Sequence, residues 1–329
     1  MKKIILWWIV SVTAASAQAP QFSQFYANPL AINPALAGDA GLSRFIVNYR
    51  NQWPSLGTAF QTATFSFDTY HEQTGLGLGA QVLHDRRGNT LNSNQLALQV
   101  SKDIKWGESL RIVYGLQANW YSNRFNTNDL TFVSNYLTGP DPLAGDGFTA
   151  NRISFSTGLL FDYEYNPDSP SLWVGGSWQN VFYRQTDDFV RARWNVQVGG
   201  RLPFEMRLWR NGTGGDLDRE SALKWAVQFR NQGPDRQLDA GINWIYSPVL
   251  FGVWYRGLLV GNQRRDAIIF TGGFVYDNIL FQGSYDVSVS SLGTDTGAFE
   301  LSFWCGLDSM FQFTGKRSRE KRARRCPRY

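Results

Sequence analysis

The chain has 329 residues, of which 43% are hydrophobic, 15% aromatic and 18% charged, with a formal net charge of +5 and a mean hydropathy of −0.31. After the N-terminus, no apolar run approaches the roughly 18 residues that a membrane-spanning helix requires, which argues against a helical membrane protein. A β-strand crosses a bilayer with about 9–11 residues, and only every second one faces lipid, so a membrane barrel is compatible with this modest hydropathy.

The first seventeen residues have the pattern of an export signal. Lys2 and Lys3 form a positive start, residues 4–12 an apolar core, and Ala15-Ser16-Ala17 a small-residue cleavage site. The apolar run is too short for a membrane anchor. We therefore expect residues 1–17 to be a signal peptide. An exported chain meets no nucleic acid.

Residues 18–42 are rich in Asn, Pro and Gly, which favours an extended strap ahead of the first strand. This strap carries Phe22, Phe25, Tyr26 and Leu36 and is too apolar to remain free in water. We expect it to pack in or under the periplasmic mouth of the barrel that the following residues predict. Two roles stay open for it, a plain plug of the lumen and a docking surface for a periplasmic partner.

Residues 43–307 repeat an alternation of apolar and polar residues that is typical of strands with one apolar face. Near the C-terminus, for example, Tyr285 and Val287 alternate with Ser284 and Asp286. The alternation recurs about fourteen times without a helical pattern to cover the apolar faces, so lipid is the candidate covering. A soluble β-sandwich or a lipocalin-like barrel is the alternative that periodicity alone leaves open.

The sequence thus predicts an all-β fold, a transmembrane antiparallel β-barrel of about 14 strands with an N-terminal strap and a basic C-terminal tail. The predicted strands are 43–52, 58–70, 74–86, 90–101, 109–125, 152–166, 172–182, 193–207, 222–232, 238–247, 249–259, 266–276, 279–290 and 297–307.

Strand parity also predicts the topology in a bacterial outer membrane. Both termini of an even-stranded barrel lie on the periplasmic side, and the longer loops lie outside. This places residues 126–151 and 183–192 outside and makes 208–221 the longest periplasmic turn. Residues 308–329 follow as a basic periplasmic tail, with eight Lys or Arg and one Glu in its last fifteen positions. An acidic periplasmic partner, anionic headgroups and no specific contact are the alternatives for this tail.

Parity assigns many charges to the barrel interior, because Arg or Lys facing lipid at mid-membrane costs about 2–4 kcal/mol. The strongest candidates are Arg50, Arg256, Asp286 and Glu300. The first and last strands of a closed barrel are neighbours, so we predict an ion pair between Arg50 and Glu300 across the closing seam, and a second pair between Arg256 and Asp286. The full set is Arg50, Asp68, Arg111, Asp162, Glu164, Arg201, Lys224, Arg230, Asp239, Arg256, Asp286 and Glu300. These charges either only fill and rigidify the interior, or some of them hold the strap or a partner segment.

Catalysis has little support in the sequence. The two histidines are His71, in a predicted turn, and His84, on the predicted lipid face beside Asp85, and the serine that a lipid-acting site would need next to His84 is missing. No spacing of metal ligands or phosphate-binding loop is present. We predict a protein that is not an enzyme, with no catalytic residues, metal or cofactor. Cys305 falls on the lipid face of the last strand and Cys326 in the tail, so we expect no disulfide between them.

The strap contains two motifs, PQFSQFYANPL at residues 20–30 and NPALAG at residues 33–38. They resemble the opening of the PorP/SprF family, outer-membrane proteins of the type IX secretion and gliding machinery of Bacteroidetes. Similar matches follow at residues 48–54, 252–257, 283–287 and 297–302, while the basic tail is outside the pattern. The motif residues of the strap are Gln21, Phe22, Ser23, Gln24, Tyr26, Asn28, Pro29, Asn33, Pro34 and Gly38, and the motif aromatics of the barrel are Trp53, Trp254, Tyr255 and Tyr285.

The resemblance implies an outer-membrane barrel that helps export or surface anchoring of secreted proteins through protein–protein contacts. The partners it implies, besides outer-membrane lipid, are the type IX translocon, secreted adhesins with a C-terminal sorting domain, and periplasmic components linked to peptidoglycan. The alternative is a porin, a diffusion channel for small solutes, because fourteen strands leave room for a pore unless something fills it.

Overall fold

The described part of the chain forms a closed antiparallel barrel in which each strand pairs with its sequence neighbours and β1 pairs with β14. The computed structural model describes residues 20–55, 60–107, 109–126, 147–165, 169–181, 191–204, 221–233, 235–257, 267–276, 278–289 and 297–307. Its strands are β1 (Arg44–Gln52), β2 (Phe60–His71), β3 (Leu76–Arg87), β4 (Leu91–Trp106), β5 (Leu110–Phe125), β6 (Phe148–Glu164), β7 (Ser171–Gln179), β8 (Arg193–Pro203), β9 (Ser221–Gln232), β10 (Asp235–Tyr246), β11 (Val249–Gly257), β12 (Ala267–Tyr276), β13 (Ile279–Ser288) and β14 (Ala298–Gly306).

The predicted fold class is confirmed, and most strand boundaries agree within a few residues. Two strands are longer than predicted. β4 continues to Trp106 because its polar end stays paired with β5, with Ile104 opposite Ile112, and β6 begins at Phe148, opposite Phe125. The predicted signal peptide, the predicted tail and most of the predicted long loops lie outside the described residues.

Side chains alternate between a lipid face and a lumen face along each strand, as the period of two requires. On β6, Phe155, Leu159 and Phe161 are exposed on the outer face, whereas Ser154 and Ser156 are buried on the inner face. Apolar groups that point away from the lumen in this way meet acyl chains in the outer membrane. Within the described ranges, no helix is both long and apolar enough to span a bilayer.

The cysteine on the last strand lies on the face that was predicted for it. Cys305 lies on the outer face of β14, half-buried, and its thiol is free. Cys326 lies outside the described residues.

We call the end of the barrel where β1 begins and β14 ends the proximal end, and the opposite end the distal end. At the proximal end, Leu307 N donates to Ser43 O at 2.8 Å, which joins the two ends of the sheet. The strap, residues 20–43 of the described chain, is continuous with β1 at this end.

Two Asn-Pro steps divide the strap into short turns. Pro29 starts a single helical turn, α1 (Pro29–Ile32), and Pro34 starts a 3-10 turn (Pro34–Leu36); an earlier 3-10 turn spans Phe25–Ala27. Proline suits the first helical position because its φ is fixed and it needs no amide partner there. Asn33 has the extended backbone that a residue before proline prefers, and its side chain accepts a hydrogen bond from Ala35 N at 2.9 Å.

The strap runs through the lumen instead of lying only at the proximal mouth. Gly38 contacts Asp68 near the proximal end, but Ser23 contacts Asp286 and Glu300, which lie close to the distal ends of β13 and β14. The expectation that the strap packs at the mouth is therefore wrong for its first half. The lumen of a fourteen-stranded barrel is too wide to be filled by wall side chains alone, so it has room for a segment of chain.

Candidate functional site

Glycines on the lumen face let the strap backbone lie directly against the wall. A Cβ atom on Gly77 of β3 would overlap Ala37 O, one on Gly115 of β5 would overlap the backbone of Pro34 and Ala35, and one on Gly158 of β6 would overlap Asn33 Oδ1. Only glycine permits such close approach of two backbones. None of these glycines was identified from the sequence as a place where another backbone approaches.

The two asparagines of the strap motif fix the chain to two separate parts of the lumen wall. Asn33 Nδ2 donates to Leu159 O at 3.1 Å and to Gly176 O at 3.2 Å, on β6 and β7. Asn28 donates to Thr64 Oγ1 of β2 at 3.3 Å, and its Oδ1 accepts from Gln81 Nε2 of β3 at 2.7 Å. Both side chains are fully buried. A buried carboxamide bound on both its oxygen and its nitrogen specifies one position for the strap.

Wall side chains also satisfy the carbonyl groups of the strap. Ile32 O accepts from Ser177 Oγ at 2.6 Å, Gln179 Nε2 at 2.8 Å and Asn195 Nδ2 at 3.1 Å. Further along the strap, Leu30 O accepts from Gln99 Nε2 at 3.1 Å and Ala37 O from Ser101 Oγ at 2.7 Å. Buried carbonyls need such partners, and short turns do not provide enough of their own. None of these wall residues was identified from the sequence.

An aromatic cluster holds the strap against the opposite wall. The ring of Tyr26 stacks on that of Trp254 with centroids 4.6 Å apart, and Phe25 meets Trp254 edge-on at 5.3 Å. Trp254 Nε1 donates to Asn243 Oδ1 at 2.9 Å, and Gln282 Nε2 donates to Tyr26 Oη at 2.5 Å. The cluster therefore combines apolar burial with satisfied polar atoms.

The four principal lumen charges form one network near the distal end. Arg50 Nη1 lies 3.5 Å from Glu300 Oε2, and Arg50 Nη2 lies 3.0 Å from Asp286 Oδ2. Arg256 bridges Asp286 at 3.3 Å and Asp239 at 3.0 Å. Both ion pairs predicted from the sequence are present. Mixed charges at this density neutralise one another across the strands.

The strap is bound inside this network. Ser23 N and Gln24 N donate to the two carboxylate oxygens of Glu300 at 2.6 and 3.0 Å. Ser23 Oγ donates to Asp286 Oδ2 at 2.6 Å and accepts from Arg50, and Arg256 Nη2 donates to Phe22 O at 2.9 Å. Glu300 is fully buried. Its charge is therefore compensated by Arg50 and by two amides of the strap together.

A second charge network anchors the strap at the proximal end. Gly38, whose φ is +70°, donates its N–H to Asp68 Oδ2 at 2.7 Å, and Arg44 binds the other oxygen of Asp68 at 2.6 Å. Asp39 pairs with Arg111, which also lies 3.1 Å from Asp162. Asp39 was not among the residues predicted to matter.

The other predicted residues are spread over the barrel. Trp53 lies just beyond β1 at the distal end, with its ring edge-on to Phe60 at 5.2 Å. Tyr255 and Tyr285 lie on the outer face, and Gln21 is half-buried at the start of the strap. The remaining predicted lumen charges lie on the inner face of their strands: Glu164, Arg201, Lys224 and Arg230.

No catalytic arrangement is apparent around the histidine on the lipid face. His84 lies on the outer face of β3 near the distal end, where its Nδ1 is 2.8 Å from Asn94 Oδ1. The described residues contain no group of His, Cys, Asp and Glu side chains that could hold a metal ion.

Comparison with known proteins identifies one family and several distant barrels. The model of the family described as "Type IX secretion system membrane protein PorP/SprF" matches residues 14–304. Comparison with curated protein sequences gives no significant match.

Among solved structures, the CymD monoaromatic hydrocarbon channel is 12% identical, with 85% of this chain and 92% of that chain covered and a TM-score of 0.47. The Pseudomonas putida toluene transporter TodX is 9% identical, with 84% and 91% covered and a TM-score of 0.45. CdiB from Acinetobacter baumannii is 9% identical with a TM-score of 0.45, and 80% of this chain spans 60% of that one.

Proposed function

Because this chain belongs to the PorP/SprF family of type IX secretion system membrane proteins, we propose that it is a plugged outer-membrane barrel that aids export or surface anchoring of secreted proteins through protein–protein contacts. The observation that carries the proposal is the strap within the lumen. A small-solute channel needs a water-filled path, and here a buried segment of the same chain occupies it.

The strap reaches the wall on every side. It hydrogen-bonds to strands as far apart as β2, β6, β11 and β14. Its central residues Leu30, Asn33 and Leu36 have no exposed surface. A segment held by this many buried hydrogen bonds is part of the folded barrel rather than a loosely inserted loop.

We place the distal end outside the cell and the proximal end in the periplasm. Support comes from the connections, because β2 to β3 and β10 to β11 are joined by short proximal turns, whereas residues 126–147 connect β5 to β6 at the distal end. Bacterial barrels have short periplasmic turns and long external loops. In this orientation the strap joins the barrel from the periplasm, and its first described residues face outward.

Partners are expected at both ends of the plugged barrel. Because the distal end faces outward in this orientation, we expect it to contact secreted surface proteins, such as adhesins with a C-terminal sorting domain. The proximal end faces the translocon and periplasmic components linked to peptidoglycan. No reaction is part of this role, and none of the described site residues requires one.

Two measurements on the purified protein test the proposal. In planar bilayers we expect no large steady conductance. After affinity purification in mild detergent, mass spectrometry is expected to find secreted surface proteins or translocon components. A variant with Ser23→Ala and Glu300→Gln, which loosens the strap, serves as the positive control for conductance. A large steady conductance of the natural protein, without co-purifying partners, would instead identify a porin.

A further inference from the structure

Two arginines on neighbouring strands face the distal part of the lumen, and neither has an ion-pair partner among the described carboxylates. Arg193 starts β8 and Arg230 lies near the end of β9, where Asn195 of β8 is directly opposite Arg230. Arg193 donates to Gln179 Oε1 and, at 3.4 Å, to Ala31 O, and Arg230 donates to Gln237 Oε1 at 3.0 Å. Among the described residues, neither guanidinium forms an ion pair.

This contrasts with five other arginines on the lumen face. Arg44, Arg50, Arg87, Arg111 and Arg256 each have a carboxylate within ion-pair distance. Inward-facing cations are costly unless they are compensated, which explains why those five are paired. The pair formed by Arg193 and Arg230 departs from this pattern.

One donor of the pair is left without a hydrogen-bond acceptor among the described residues. Arg193 Nε is buried and has no hydrogen-bond partner among the residues that the structure describes. Asp239 and Asp235 attract Arg230 electrostatically, but neither is within ion-pair distance of it, and Asp239 is bound to Arg256 at 3.0 Å and accepts from Gln237 Nε2. The local charge is therefore positive and unsatisfied, which is the condition for binding an anion.

Both arginines line a cavity of about 100 Å³ between the strap and the distal wall. A cavity of this size, below the about 300–1,000 Å³ that is usual for pockets of small ligands, admits an acidic side chain of a segment and not a folded domain. Phe22 and Phe25 of the strap form an apolar part of its lining. The rest is rich in carboxamides: Gln81, Gln95, Gln117, Gln179, Asn195 and Gln228.

The wall beside the arginines already binds polypeptide. Gln179 and Asn195 donate to Ile32 O, and Gln179 and Arg193 donate to Ala31 O. Carboxamides pair with the donors and acceptors of a peptide main chain, and a guanidinium binds a carboxylate through two parallel hydrogen bonds. These contacts favour a peptide over other anions.

From this geometry we propose that the distal cavity binds an acidic peptide segment, with a carboxylate held between Arg193 and Arg230 and the main chain held by the surrounding carboxamides. The inference deepens the proposed function. That the segment belongs to a secreted protein rests on that proposed function. The binding chemistry itself is a property of this cavity alone.

The test uses fluorescently labelled hexapeptides and the full-length protein in detergent. The acidic probe is acetyl-Gly-Ser-Glu-Glu-Ser-Gly with an amide end, and the matched neutral probe has Gln at both Glu positions. A galacturonate trisaccharide is the acidic sugar probe, used as an unlabelled competitor. Variants are Arg193→Gln and Arg230→Gln, and the control is Arg124→Gln, which makes the same change on the outer face of β5.

We expect fluorescence polarisation to show that the natural protein binds the acidic peptide. The affinity should be about tenfold or more lower for the neutral peptide, and also for the acidic peptide with either arginine variant. The control variant should bind the acidic peptide as the natural protein does. Binding is also expected to weaken as salt is raised. Far-ultraviolet circular dichroism and resistance to detergent denaturation establish that each variant is folded. A folded variant is required for each comparison, and Arg193→Met, which also removes the charge, replaces Arg193→Gln if the latter does not fold.

Three binding patterns would overturn the inference: equal binding of the acidic and neutral peptides, acidic-peptide binding that survives both substitutions, and displacement of the bound acidic peptide by the trisaccharide at lower concentrations than by unlabelled acidic peptide. Absence of binding by any probe has the same consequence. These results would leave the secretion role intact, since co-purification with secreted proteins is measured separately. Conversely, peptide binding without any co-purified partner would retain the site and remove the secretion role.

Discussion

Arg50 on the first strand and Glu300 on the last lie directly opposite each other, with 3.5 Å between Arg50 Nη1 and Glu300 Oε2, and both also bond to Ser23 of the strap. The seam that closes the barrel and the site that holds the plug thus share the same side chains. Closure of the sheet and seating of the strap are therefore expected to stabilise one another.

The seam pair predicts strong coupling between its members. Replacing Arg50 or Glu300 alone with Gln leaves the other charge buried and is expected to cost about 3–5 kcal/mol in the free energy of unfolding. The double variant should lose less than the sum of the single losses, with a coupling of about 0.5–3 kcal/mol. Urea titrations of the barrel in lipid vesicles measure all four proteins. Additive losses would contradict the shared role.

A methyl group on a lumen glycine is expected to dislodge the strap. In Gly158→Ala the new Cβ overlaps Asn33 Oδ1, so the hydrogen bonds of Asn33 to β6 and β7 are lost. We expect faster proteolysis of the strap and a measurable conductance in planar bilayers. Gly272→Ala is the matched control, because a Cβ there meets nothing within 4 Å. Equal behaviour of the two variants would refute the close packing of strap and wall.

The aromatic cluster is expected to contribute more than tryptophans on the lipid face. Trp254→Ala removes the stacking partner of Tyr26 and should lower the free energy of unfolding by about 3–5 kcal/mol. Trp244→Ala, on the outer face of the neighbouring strand with 42% of its surface exposed, makes the same change outside the lumen. Denaturant unfolding followed by fluorescence compares the two. A larger loss for Trp244→Ala would argue against the cluster as an anchor.

Cysteine labelling checks the orientation of the plugged barrel. In a background with Cys305→Ser and Cys326→Ser, Gln21→Cys places a thiol at the start of the strap and Glu72→Cys places one in the exposed proximal turn between β2 and β3. We expect a small membrane-impermeant maleimide to label position 21 on intact cells, and position 72 only after the outer membrane is permeabilised. The reverse pattern would mean that the distal end faces the periplasm.

Much of the barrel could be predicted from the sequence because lipid and lumen impose opposite chemistry on alternate residues. The outward Phe155 and the inward Asp286 follow from that period alone. The opposition of Arg50 and Glu300 follows from closure of an even-stranded sheet. The long polar end of β4 was missed, since charged residues such as Lys102 and Asp103 read as a turn when the neighbouring strand is not considered.

The path of the strap could not be predicted, because short turns divided by Asn-Pro steps have no period that indicates a direction. Its partners are also distributed over the whole barrel, so each one, such as Gln99 or Ser177, looks like an ordinary polar residue of the lumen face. The signal that could have been recognised is the set of glycines on the inner faces of β3, β5 and β6. A glycine at an inward position marks a place where another backbone approaches.

The strap is tethered to the barrel at Ser43 and its first described residue, Pro20, reaches the opposite end. While the seam stays closed, the segment leaves the lumen most directly by being drawn back toward its tether. Opening then requires a pull from the proximal end or a push from the distal end, which act in the same direction, whereas a push from the proximal end presses the strap further into the lumen. The direction of force, and not its size alone, would decide whether this barrel opens.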